Sequence, residues 1–195
     1  MKKVLLIATA LAGLTLAAPS FAQSVSGTVG LSGSVAPRCV VNGSGGGSTF
    51  SGAISFGELT KTNGTLRGDM QNSSPVSGAV VKASVTCTTA NALVGVSATE
   101  LATTGTAPSG FSSALDYTAE LDVDKAGGGT GQFTYTTTTS NQSTSPTTTA
   151  LGDAVSNSNN NVRVSVYSFN SVGSNSNTLL AGTYSGVVYV TIAPN

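Results

Sequence analysis

Histidine is absent from all 195 residues. That removes a Ser–His–Asp triad, a Cys–His pair and most metal centres. Cysteine is scarce: Cys39 and Cys87 are the only two, and two thiols without histidine leave too few soft ligands for a metal. Charge is scarce as well. Only 8% of the residues are Asp, Glu, Lys or Arg, with no basic stripe to track a nucleic acid. The glycine runs at 45–47 and 127–129 are not followed by Lys-Ser/Thr in phosphate-loop spacing. Beyond residue 22, no stretch keeps helical spacing over three turns. An enzyme is therefore the weakest reading, and no cofactor is expected.

What is present begins with an export signal. Lys2 and Lys3 precede an apolar run, Val4 to Ala18, and Ser20-Phe21-Ala22 gives a small-x-small cleavage site before Gln23. This is the pattern of a secretory signal peptide over residues 1–22, too short for a membrane span, with no second span following. The remaining chain, about 170 residues, suits one sandwich-sized domain. Without Lys2 and Lys3 its charge balance is slightly negative. A surface hydrated by Ser, Thr and Asn rather than by charge has weak colloidal repulsion, which favours association. In an exported chain the two cysteines read as one disulfide, Cys39–Cys87, contributing on the order of 4 kcal/mol through loop closure.

Strand signals follow in series. Ala53 to Gly57 reads as a short strand, and Thr60 to Ser74 as a polar, turn-rich stretch. Val81, Ala83, Val85 and Cys87 share a face, which turns Cys87 inward. Leu93 to Thr99 alternates, and so does Ala114 to Val123, with Leu115, Tyr117, Ala119, Leu121 and Val123 on one side. Gln132 to Thr138 is strand-like. Val162 to Phe169 alternates, placing Val162, Val164, Val166 and Ser168 on one face and Phe169 on the other. The chain closes on Gly182 to Ile192, with Tyr184, Gly186, Val188, Val190 and Ile192 aligned. Short strands between Gly, Asn and Ser loops point to an all-β antiparallel sandwich.

The stretch that bears on function is Gln23 to Cys39. Val25, Val29, Leu31 and Val35 occupy odd positions, Gly27 and Gly33 fill the gaps, and the even positions are small or polar. Period-two alternation of this kind marks a half-buried strand. Its apolar row can pack into its own domain as an ordinary first strand, or into a groove on another copy.

The chain resembles secreted subunits of the spore coat protein U type, the family that includes archaic chaperone–usher pilins. The likeness rests on four features: a leader followed by an alternating strand and Cys39; Phe56-Gly57 after a short strand; Val85-Thr86-Cys87-Thr88; and the ending LLAGTYSGVVYVTIAP. The long Cys39–Cys87 interval and the 100–160 region depart from that pattern. The resemblance implies an immunoglobulin-like sandwich over 39–195 that lacks its final strand, preceded by a donor extension over 23–38. It further implies a periplasmic chaperone, an outer-membrane usher, and a fibre in which one copy's Val25, Gly27, Val29, Leu31 and Val35 fill a groove on the next. The groove edge would be the strand carrying Tyr184, Val188, Val190 and Ile192. Such a subunit passes through the periplasm to a surface fibre used in adhesion or biofilm formation.

Two other readings compete. Tyr135, Tyr167 and Tyr189 with Asn-rich loops could bind a glycan, making the chain a monomeric adhesin; a free-standing matrix protein is the third option. The cluster Asp116, Glu120, Asp122 and Asp124 could serve glycoside chemistry or calcium, but Asp116, Glu120 and Asp122 share the polar face of one strand and read better as a solvated surface.

Overall fold

The computed structural model describes residues 26–42 and 47–195. The expected leader, Val25 and residues 43–46 of the glycine run lie outside the described residues. The chain divides into two units, Met1–Ser34 and Val35–Asn195. In the first unit, residues 26–34 carry no strand, and Val29 and Leu31 are 87% and 94% exposed. The half-buried strand expected over 23–35 is thus not formed where it is described. A single strand cannot satisfy its own backbone groups; it needs a partner edge.

The second unit is all β, with no helix among the described residues. Its larger sheet runs β2 (Val80–Ala83), β10 (Val162–Ser171) and β7 (Ala114–Asp124), with β5 (Leu101–Ala102) and β8 (Thr130–Thr136) on the far edge of β7. The smaller runs β12 (Val188–Pro194), β4 (Ala92–Ala98) and β9 (Thr149–Ala150). Two short pairs complete the unit: β1 (Cys39–Val41) with β3 (Val85–Cys87), and β6 (Phe111–Ser112) with β11 (Thr178–Leu179). All pairings are antiparallel except the last.

The alternation read from the sequence builds the core. Leu115, Tyr117, Ala119, Leu121 and Val123 from β7 and Val162, Val164 and Val166 from β10 meet Ala92, Val94, Val96 and Ala98 from β4 in one buried cluster. These inner rows of a two-layer sandwich supply most of its hydrophobic stabilisation. Asp116, Thr118, Glu120 and Asp122 lie only half-buried on the opposite face of β7, as the pattern requires.

One face assignment changes. The register between β10 and β7 shifts between Tyr167 and Asn170, and Ser168 sits at φ 55°. The bulge inserts a residue and turns Phe169 inward, where it is 1% exposed beside Val166. Tyr117 stacks on it at 5.2 Å and Phe56 meets it edge-on at 5.1 Å.

At Ser84 the chain leaves β2 and starts β3, just where β10 runs out opposite Ala83. The fully buried Asn161 fills that gap. Its Oδ1 accepts from the Val85 N–H at 2.8 Å, and its Nδ2 donates to the Val85 carbonyl at 2.6 Å and to the Ser156 carbonyl. One side chain thereby replaces a missing rung of the ladder and fastens β3 to β10.

Candidate functional site

The sandwich is open along one side of β12. The Thr99 N–H donates to the Val187 carbonyl at 3.0 Å, and the register then pairs Tyr189 with Ser97 and Thr191 with Gly95. Bonded and non-bonded pairs alternate in an antiparallel ladder. Val188, Val190 and Ile192 therefore turn their N–H and C=O groups away from β4. No described residue takes them up.

Across from this edge runs the segment 48–58. It contains the expected strand Ala53–Gly57, but no strand forms there. Among the described residues, its backbone makes no hydrogen bond to another backbone group. It is held by side chains instead. Arg67 Nη1 donates to the Phe56 carbonyl at 3.2 Å and to the Glu58 carbonyl, while the Arg67 head pairs with Asp69. Gly52 lies so close to Val81 that a Cβ there would fall 2.4 Å from a Val81 methyl. Only Phe50, Ile54 and Phe56 of this segment are half-buried, the rest is exposed, and it lacks a neighbouring strand.

Between these two walls lies a cleft of about 580 Å³. Its floor is Val81, Val85, Tyr117, Val164, Val166 and Phe169; Phe50, Ile54 and Phe56 form one wall, Val188, Val190 and Ile192 the other. Among the described residues, no charged side chain lines it. A second trough of about 750 Å³ shares Ile54, Phe56, Leu101 and Gly186 with the first and runs on past Tyr184 to Leu179 and Leu180. At Gly186 a Cβ would stand 2.8 Å from the Glu100 carbonyl oxygen, so only glycine allows the chain to pass there.

Of the residues expected at the groove edge, Val188, Val190 and Ile192 are brought together along the first cleft. Tyr184 is not on the strand, which starts at Val188. It lines the second trough, its hydroxyl donating to the Ser112 and Leu180 carbonyls at 3.0 and 2.9 Å. Burial pushes its phenol up, and the more deeply buried Tyr117 further still; the Tyr117 hydroxyl donates to the Thr99 carbonyl at 2.8 Å. Neither tyrosine supplies a proton near neutral pH. Val35 is 77% exposed. An ideal Cβ at Gly27 or Gly33 would meet nothing within 4 Å.

Cys39 and Cys87 form the disulfide, in direct register between β1 and β3, with Cys39 at the lip of the cleft. The bridge closes a loop that contains the whole 48–58 wall.

The acidic cluster is dispersed in its bonding. Arg163 donates to both oxygens of Asp124, at 2.8 and 2.9 Å, and holds its carboxyl below the usual range. Glu120 accepts from the Tyr167 hydroxyl at 3.1 Å. Burial, with Glu100 nearby, raises Asp116. Among the described residues, no three Asp, Glu, Cys or His side chains converge on a metal position.

Sequence reasoning missed Tyr117, Phe169, Val164 and Val166 as groove floor, because alternation marks an inward face without saying which part of the interior stays uncovered. It also missed Leu66 and Met70, fully buried within the stretch read as polar; two apolar residues four apart in such a loop were the available signal. Comparison of the chain with protein-family models, with curated proteins and with solved structures finds no match in any of the three.

Proposed function

We propose that this chain is a structural subunit of a secreted surface fibre, assembled by donor-strand exchange. The observation that carries this reading is the apolar cleft between two backbone edges without strand partners, in a chain whose residues 25–35 alternate apolar and polar. An inserted strand supplies what the cleft lacks. Its backbone bonds to β12 and the 48–58 wall, and its alternate side chains cover the floor. Burying Val25, Val29, Leu31 and Val35 is worth roughly 6–10 kcal/mol, at about 1.5–3 kcal/mol for each side chain.

The donor is the same segment on another copy. A head-to-tail contact of this kind does not close on itself and therefore grows into a filament. The resemblance to archaic chaperone–usher pilins supports export through the periplasm, with a chaperone covering the cleft before assembly and an usher at the outer membrane. Adhesion or biofilm formation follows as the role of the fibre.

The test is the size of the purified chain with and without residues 23–35. Full-length protein should form ladders that survive mild detergent, and the deletion should give a folded monomer. A truncated chain that unfolds, alongside a full-length chain that never polymerises, would assign the segment to its own domain instead.

A further inference from the structure

The two clefts form one trough that outlasts β12. The seven residues of β12 span ~23 Å, whereas the eleven from Val25 to Val35 span ~36 Å at ~3.3 Å per residue. A donor seated along its full row must therefore enter the second trough, beside Tyr184. Which end enters, and in what register, is a question of charge and size.

In the segment 23–38 the single charged side chain is Arg38. Among the described residues, the two clefts together are also lined by a single charged side chain, the exposed Glu58 of the second trough. Among the described residues Arg38 makes no ion pair. The Thr60 hydroxyl donates to the Glu58 carboxylate at 2.6 Å and lowers its pKa, so Glu58 is ionised at neutral pH. Arg67, the neighbouring cation, is taken up by Asp69 and by the Phe56 and Glu58 carbonyls.

Size gives the register. With the strand antiparallel to β12, Val29 faces Val188, Leu31 faces Gly186, Gly33 faces Tyr184 and Val35 faces Gly182. Each large residue beyond β12 then meets a glycine. Shifting by two residues in one direction sets Leu31 against Tyr184; in the other, Val35 against Tyr184. In that register Arg38 falls opposite Leu179, which lines the second trough together with Glu58. The opposite direction sends the root of the strand past Ile192, along the cleft that Cys39 also lines.

Resting on the strand-exchange reading above, we propose that a second copy's Leu31–Val35 occupies the trough beside Tyr184 and that its Arg38 pairs with Glu58, which fixes the direction and register of insertion.

The experiment is a charge-swap cycle in the full-length oxidised chain, reading polymer dissociation on dilution. Both side chains are exposed, and Glu58 gives up only its bonds from Thr60, so the monomer should remain folded, as far-UV circular dichroism would verify. Arg38→Glu and Glu58→Arg should each speed dissociation roughly fivefold, and the double swap should return it to within about twofold of the original. High salt should narrow these differences. Single swaps without effect, or a double swap no better than the singles, would overturn the pairing while leaving strand exchange intact. A parent chain that forms no polymer at all would overturn the exchange reading itself.

Discussion

Asn161 offers the sharpest energetic test of the fold. Replacing it with alanine strips the partner from the Val85 N–H, the Val85 carbonyl and the Ser156 carbonyl, in a site with no solvent access. Each buried group left unpaired costs about 1–3 kcal/mol. Allowing for partial relaxation, Asn161→Ala should cost about 3–5 kcal/mol, a large share of a typical domain's stability. Asn161→Asp separates shape from hydrogen bonding. The introduced carboxyl keeps the Oδ1 acceptor but turns an oxygen toward two carbonyls. Its charged form is disfavoured, so its folded pKa lies above the unfolded value of about 3.9. The native state then binds the extra proton, and the stability of this variant falls as pH rises from about 4 through the raised value. Urea unfolding of the oxidised chain, followed by far-UV circular dichroism at pH 3.5 and pH 7, reads both effects. A loss below about 1 kcal/mol for the alanine variant would refute the ladder-rung role, as would an aspartate variant equally stable at the two pH values.

Other expectations concern the groove and the surface. Leu31→Asp changes a side chain that is 94% exposed, so monomer melting should not move while polymer on a native gel disappears. Gly186→Ala places a Cβ 2.8 Å from the Glu100 carbonyl oxygen and should lower the melting midpoint, with a cost of about 1–3 kcal/mol. Reducing Cys39–Cys87 should remove on the order of 4 kcal/mol, read as a lower denaturant midpoint in reductant. The Asp124 carboxyl is lowered by Arg163, so its contribution is present above the unfolded carboxylate value and lost as pH falls through the depressed one. Asp124→Asn should flatten the acid limb of the stability profile and leave the neutral region within about 1 kcal/mol.

The long strands were legible because their alternation coincides with burial. In Ala114–Val123 every odd residue enters the core, and Leu93–Thr99 maps onto β4 with nearly the same ends. Legibility failed where backbone geometry or distant partners decide. The inward turn of Phe169 depends on Ser168 at φ 55°, which period-two reading cannot anticipate. Ala53–Gly57 has the composition of a strand but no strand beside it, so no ladder forms. Asn161, a polar residue next to four other Asn and Ser residues, is wholly buried because Val85, far away in sequence, needs its amide. The groove was approached only through the alternation of Val188, Val190 and Ile192. Its second wall is not a regular element, and its floor belongs to strands that look complete.

The disulfide also has a mechanical meaning. In the proposed fibre under tension, force would enter each subunit through its root at Arg38 and Cys39. The sulfur bridge would hand that force directly to Cys87 on β3, itself fastened through Val85 to Asn161. The intervening loop, with a sequence separation of 48 between its ends, stays slack. Without the bridge, the same pull would peel β1 and then the 48–58 wall, adding ~160 Å of extensible chain per subunit. The wall that would grip the neighbour's strand is thus kept off the line of force that its own strand transmits.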